Sequence, residues 1–182
     1  MSTPMNRTGK VALGGILGAL SLLCLLLSFI PASEYMMPAM AGALLLPVVI
    51  ECGHRWGLMV YAVTAVLALL FTPALEPRVL DVAFFGYYPV FKAVLESQSR
   101  RWLEWVAKLA VFNGAVCLSY WLMLKFFGLS PEVFDFFGVD LPLVLLALGN
   151  VTFLLYDKLL SLLVTVYWRR LHGIFARLFK RR

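Results

Sequence analysis

Apolar residues run along this chain in long blocks instead of alternating with polar ones, and six blocks approach the roughly 20 residues a helix needs to cross a bilayer. They cover residues 11–30, 35–50, 57–71, 79–95, 103–127 and 141–168, separated by short connectors that carry Pro, Gly or charge. The pattern predicts an all-α polytopic integral membrane protein: six transmembrane helices in one domain over residues 1–168, then a basic amphipathic tail over residues 169–182. The second block is short and holds Pro38 and Pro47, so a re-entrant or kinked course stays open for it. Arg7 and Lys10 precede the first block as they would in a signal peptide, but its apolar run exceeds the roughly 7–15 residues of a signal core, so an uncleaved span is expected.

Composition agrees with lipid as the solvent. Of 182 residues, 62% are hydrophobic and 14% charged, against about 45–50% and 25% in soluble domains. A chain this short cannot bury that excess away from water. Long unbroken apolar runs also exclude an outer-membrane barrel, whose strands alternate. The net charge of +6 then has to be read by position. With six crossings, one side receives Arg7, Lys10, Arg55, Arg100, Arg101 and the tail, and the other receives only Arg78. The positive-inside tendency therefore predicts both termini in the cytoplasm, whereas omitting the second crossing would put the basic tail outside.

Some residues in the spans are costly to bury and so point to contacts. In the first span, Gly14/Gly18 and Gly15/Ala19 form two overlapping small-xxx-small pairs, a surface for close helix approach. It serves either packing within the bundle or docking of another membrane protein. In the fourth span, Asp81, Tyr88, Lys92 and Glu96 share a helical face at offsets of seven, four and four, and Pro89 should kink the helix or free a carbonyl. A simple kinked helix whose Lys and Glu reach the interface is the plainer alternative. Counting about 1.5 Å per residue from the helix entrances, Tyr87, Asn113 and Asn150 all lie roughly 12–15 Å deep. Asn150, Asp157 and Ser161 form a second polar stripe, expected to face the interior. Lys92, Lys108 and Asp157 fall in one band beneath, with Glu51, Glu96 and Glu104 nearer the interface. Asp157 is expected to pair with Lys92 or Lys108, closing the bundle on its inner side, unless Asp157 and Lys158 simply reach cytoplasmic water.

In the tail, Leu171, Ile174, Phe175, Leu178 and Phe179 repeat at helical spacing while Arg169, Arg170, Arg177, Lys180, Arg181 and Arg182 supply charge. That pattern predicts an interfacial helix anchored to the anionic inner leaflet, with a cytoplasmic or coupling partner as the alternative and no nucleic acid. Cys24, Cys52 and Cys117 lack metal-ligand spacing, and no metal or cofactor is expected. The only histidines are His54, in a predicted internal loop, and His172, in the tail; no HExxH, GxSxG, P-loop or GxGxxG string occurs, so an enzyme is not expected.

Six short spans, both termini inside, the small-residue face of Gly14, Gly15, Gly18 and Ala19, and the lack of any ATPase motif together resemble the substrate-binding S component of energy-coupling-factor vitamin transporters. The resemblance covers nearly the whole chain at the level of architecture, with glycines where that family often has alanines. It implies a pocket for a small solute opening outward beneath the loops at 33–37, 73–79 and 128–140. It also implies docking through the first span onto a transmembrane coupling subunit driven by ATPases. From depth and polarity, Tyr35, Tyr87, Tyr88, Asn113, Tyr120, Trp121 and Asn150 are the candidates for stacking and hydrogen bonding to a small flat ligand. Two other readings stay open: a structural or assembly membrane protein with a filled core, and a homo-oligomeric channel or small transporter with a polar path from Asp81 toward Asp157.

Overall fold

In the computed structural model, described for residues 5–30, 33–97, 101–127 and 141–172, every regular element is helical. Helix α1 covers Arg7–Leu26 and ends in a 3-10 turn, Leu27–Phe29. Next come α2, Met36–Ala43, and α3, Leu46–Cys52, then α4, His54–Phe71. Helix α5, Leu75–Leu80, runs into a π turn at Asp81–Phe85 and is followed by α6, Tyr88–Glu96. Two long helices complete the fold: α7, Arg101–Phe127, and α8, Leu141–Val166, which passes into a π turn at Tyr167–Leu171. Among the described residues, three stretches are long and apolar enough to cross a membrane, Arg7–Phe29, His54–Phe71 and Leu146–Arg170.

Two of the predicted spans are broken helices, and proline chemistry explains where. The second block divides at Leu44–Leu45, because Pro47 lacks the N–H that Ala43 would accept and instead occupies the first turn of α3, where no donor is needed. The fourth block divides at Gly86–Tyr87. Pro89 is expected to kink the helix or free a carbonyl; it lies in the first turn of α6, so the helix breaks just before it and the Phe85 carbonyl loses its i+4 amide. The stripe from Asp81 to Glu96 is accordingly interrupted by the π turn and this break. His54 also departs from expectation: it opens α4 rather than lying in a loop, since Gly53, at φ 90°, turns the chain from α3 directly into the next helix.

The first half of the chain packs around α1, with Leu13 and Leu17 against Val48 and, further along, Leu25 with Ala41 and Ala68. The second half is held by an aromatic cluster joining Phe84, Tyr88, Phe112, Phe153 and Tyr156, with Leu46 and Leu160. The two halves meet where α2 crosses the π turn. There a Cβ on Gly42 would lie 2.1 Å from the Phe85 carbonyl oxygen, so only glycine permits the approach. Because residue 89 is proline, this carbonyl has no amide to accept from four residues on. The outward surfaces of α1, α4 and α8 are apolar, with Ile16, Leu23, Val63, Leu70, Val151 and Leu155 exposed.

Candidate functional site

The polar centre of the molecule is built from i, i+4 repeats on neighbouring helices. Tyr88, Lys92 and Glu96 line one face of α6, Glu104 and Lys108 one face of α7, and Asp157 reaches in from α8. Asp157 Oδ1 accepts hydrogen bonds from the Tyr88 hydroxyl and Lys92 Nζ, both at 2.6 Å, and Lys108 Nζ lies 3.1 Å away. Lys92 also pairs with Glu96, and Lys108 with Glu96 at 3.0 Å and Glu104 at 2.6 Å. Two ammonium groups thus face three carboxylates. Side-chain exposure rises from 1–5% at Lys108, Lys92 and Asp157 to 41% at Glu96, so the network runs from the dry interior to a wetter end. Asp157 is therefore shared by both candidate lysines rather than held by one.

About two turns earlier on α8, Asn150 meets Asn113 of α7 in a reciprocal amide pair, each donating to the other at 3.0 Å. Each amide also donates to the carbonyl four residues earlier, Leu109 and Leu146, at 2.8 Å. These groups bind α7 to α8 and have no donor left for a ligand. Between the pair and the charges sits Phe84, in edge or tilted contact with Tyr87, Tyr88, Phe112, Phe153 and Tyr156. Phe112 and Phe153 stack at 4.7 Å.

The expected ligand set is thus divided. Tyr87 and Tyr88 belong to the interior cluster, while Tyr35 and Trp121 are 65% and 50% exposed. The side chain of Tyr120, the loop at 128–140, and Arg177, Lys180, Arg181 and Arg182 lie outside the described residues. Arg169 and Arg170 are exposed on the final π turn. Ser161 does not continue the polar stripe inward; it is exposed and its hydroxyl returns a hydrogen bond to the Asp157 carbonyl at 3.1 Å.

The small-residue face of α1 also splits. Gly14 and Gly18 pack on α4, where added Cβ atoms would come within 2.8 Å and 3.2 Å of Val60. Gly15 has open space, and with Ala19, Met59 and Val63 it lines an apolar groove of about 400 Å³ between α1 and α4.

Three features escaped the sequence reading. Glu51, at the end of α3, accepts from the Tyr167 hydroxyl at 2.9 Å, and His172 Nδ1 lies 2.6 Å from the same oxygen, which ties the end of α8 to α3. The Tyr61 hydroxyl donates to the Val82 carbonyl at 2.7 Å and braces the π turn from α4. Tyr156 reaches the Ala39 carbonyl at 3.3 Å beside Gly42. Only Glu51 had a legible signal, as an acidic residue at a span end. Among the described residues, no three His, Cys, Asp or Glu side chains converge as a metal site. No family model, curated protein or solved structure matches this chain.

Proposed function

We propose that this chain is a membrane-embedded subunit of an uptake transporter, crossing the bilayer six times with both termini in the cytoplasm and binding a small solute admitted from the external side. The observation that carries the reading is the pair of proline-broken helices, α2–α3 and α5–α6, that cross inside the bundle at Gly42 and Phe85. Non-helical backbone at membrane depth is tolerated only where protein or a cavity surrounds it, and discontinuous helices are a recurring way to place solute sites near the midplane.

The charge network fits the same reading as an inner seal. With Lys92, Lys108 and Asp157 joined and Glu96 and Glu104 beyond them, passage toward the cytoplasm is blocked until the network is rearranged. Above it lies a packed aromatic cluster that includes Tyr87, Phe85 and Tyr156, whose rings would have to part to stack on a small flat solute. Energy for transport would come from ATPases on other chains, through a coupling subunit docking at the outward-facing Gly15 and Ala19.

A second reading, a structural or assembly protein with no ligand, is favoured by the self-satisfied Asn113–Asn150 pair and by the close aromatic packing around Phe84. Thermal unfolding of the purified protein against a panel of vitamins and nucleobases separates the two. A ligand at about 100 times its Kd stabilises by about 2.7 kcal/mol, and a concentration-dependent rise with one compound is expected. No rise with any compound, together with an unchanged unfolding curve in a native-membrane metabolite extract, would favour the structural reading.

A further inference from the structure

Among the described residues, two deeply buried carboxylates lie outside the charge network: Glu51, which is held by Tyr167 and His172, and Asp81. Asp81 opens the π turn at Asp81–Phe85, is 1% exposed, and its Oδ1 has no hydrogen-bond partner. The groups around it explain why no cation reaches it. Helix α2, packed against the turn, has no ionisable side chain, and α4 and α8 present the phenols of Tyr61 and Tyr156. On α5, Glu76 is exposed and the Arg78 guanidinium donates to the Leu69 carbonyl at 3.4 Å. Helix α6 offers Tyr88 and Lys92, both held at Asp157; on α7, Lys108 is held in the same network and Lys125 is exposed. A carboxylate anion in such surroundings lacks both a counter-charge and donors. A neutral acid does not need the counter-charge.

The position adds a means of coupling. Asp81 stands where the helix is wound as a π turn, with the Gly86 amide bonded to the Asp81 carbonyl at 2.8 Å, and this turn is followed at once by the break before α6. Such π segments are local irregularities that recur at functional sites. We propose that Asp81 is a proton-binding site: it carries a proton in this closed arrangement and releases it to external water when the α5–α6 segment opens. The carboxyl O–H bond breaks, the electron pair stays on the carboxylate, and the proton passes to water, so opening of the α5–α6 segment depends on external pH. The direction of opening rests on the orientation proposed above; the protonation does not.

Infrared pH-difference spectra of the full chain in liposomes test the protonation directly. The carbonyl stretch of a neutral carboxylic acid should titrate in the wild type, persist in Asp81→Glu and be absent in Asp81→Asn. No difference between wild type and Asp81→Asn would overturn the assignment. So would loss of the band on adding sodium at constant pH, which would make the site a cation site. For coupling, Val79→Cys in a background lacking the native cysteines is labelled from outside with an impermeant thiol reagent. The labelling rate relative to the same cysteine with Asp81→Asn should rise about tenfold per pH unit while Asp81 stays protonated in the closed form. A pH-independent ratio would overturn the coupling. Labelling only from the liposome interior would overturn the orientation while leaving the infrared result intact.

Discussion

Replacing Gly42 with Ala puts one methyl group at the tightest crossing in the molecule. The new Cβ would lie 2.1 Å from the Phe85 carbonyl oxygen, 2.8 Å from its carbon and 3.1 Å from the Tyr156 hydroxyl. A carbon approaches a carbonyl oxygen comfortably at about 3.3–3.6 Å, so α2 and the π turn must part by about 1 Å. A gap of that size forfeits roughly a quarter to a half of the dispersion energy at each affected contact. Overpacking costs about 1–3 kcal/mol, and the better helix propensity of Ala returns at most about 1 kcal/mol. The net loss should be about 2 kcal/mol, a fall of about 5 °C in apparent unfolding temperature for a chain of this size. The control is Gly15→Ala, where nothing lies within 4 Å, and there the unfolding temperature should hold or rise slightly. Both variants are compared by thermal unfolding in one detergent. Equal unfolding temperatures would refute the claim that the two broken helices are locked by this approach.

The charge network should respond unequally to its members. Asp157→Asn or Lys92→Met each removes one charge from the buried end while Glu96 or Lys108 still faces the partner left behind, so each should cost more than an exposed pair but less than the about 3–5 kcal/mol of a fully stranded buried charge, whereas Glu96→Gln, at a partly exposed position, should cost under about 1 kcal/mol in chemical unfolding. Asn113→Leu or Asn150→Leu alone should cost about 1–3 kcal/mol by stranding the other amide, and the double replacement should recover much of that; strict additivity in a double-mutant cycle would contradict the reciprocal pair. Glu51→Ala removes the acceptor shared by Tyr167 and His172 and should speed tryptic cleavage at Arg169 and Arg170, an effect that unchanged digestion kinetics would deny.

The all-helical class was legible because long apolar runs such as 11–30 suit helices, and among the described residues three such helices are long and apolar enough to cross a membrane. Depth counting placed Lys92, Lys108 and Asp157 in one band, yet it could not choose between two lysines at similar depth, and the carboxylate takes both. Proline marked which apolar blocks are interrupted but not where, since Pro47 and Pro89 are accommodated in a first helical turn and the break falls on the residues before them. Exposure of Tyr35 and Trp121 was not legible, because periodicity within one helix does not say which of its faces meets a neighbour. The Glu51–Tyr167–His172 cluster and the Gly42–Phe85 approach join residues far apart in the chain, and no local pattern encodes them. The exposed orientation of Ser161 follows from a hydroxyl being able to satisfy itself on its own helix.

The central claim is that this chain binds a solute as one subunit of an energised uptake system. The most direct measurement is gentle purification from its native membrane, with mass spectrometry of both the proteins and the small molecules that travel with it. The account predicts a larger transmembrane subunit, ATPases and a bound metabolite that is lost in Gly42→Ala. Recovery of the chain alone, with no metabolite above the level found on an unrelated membrane protein, would contradict it.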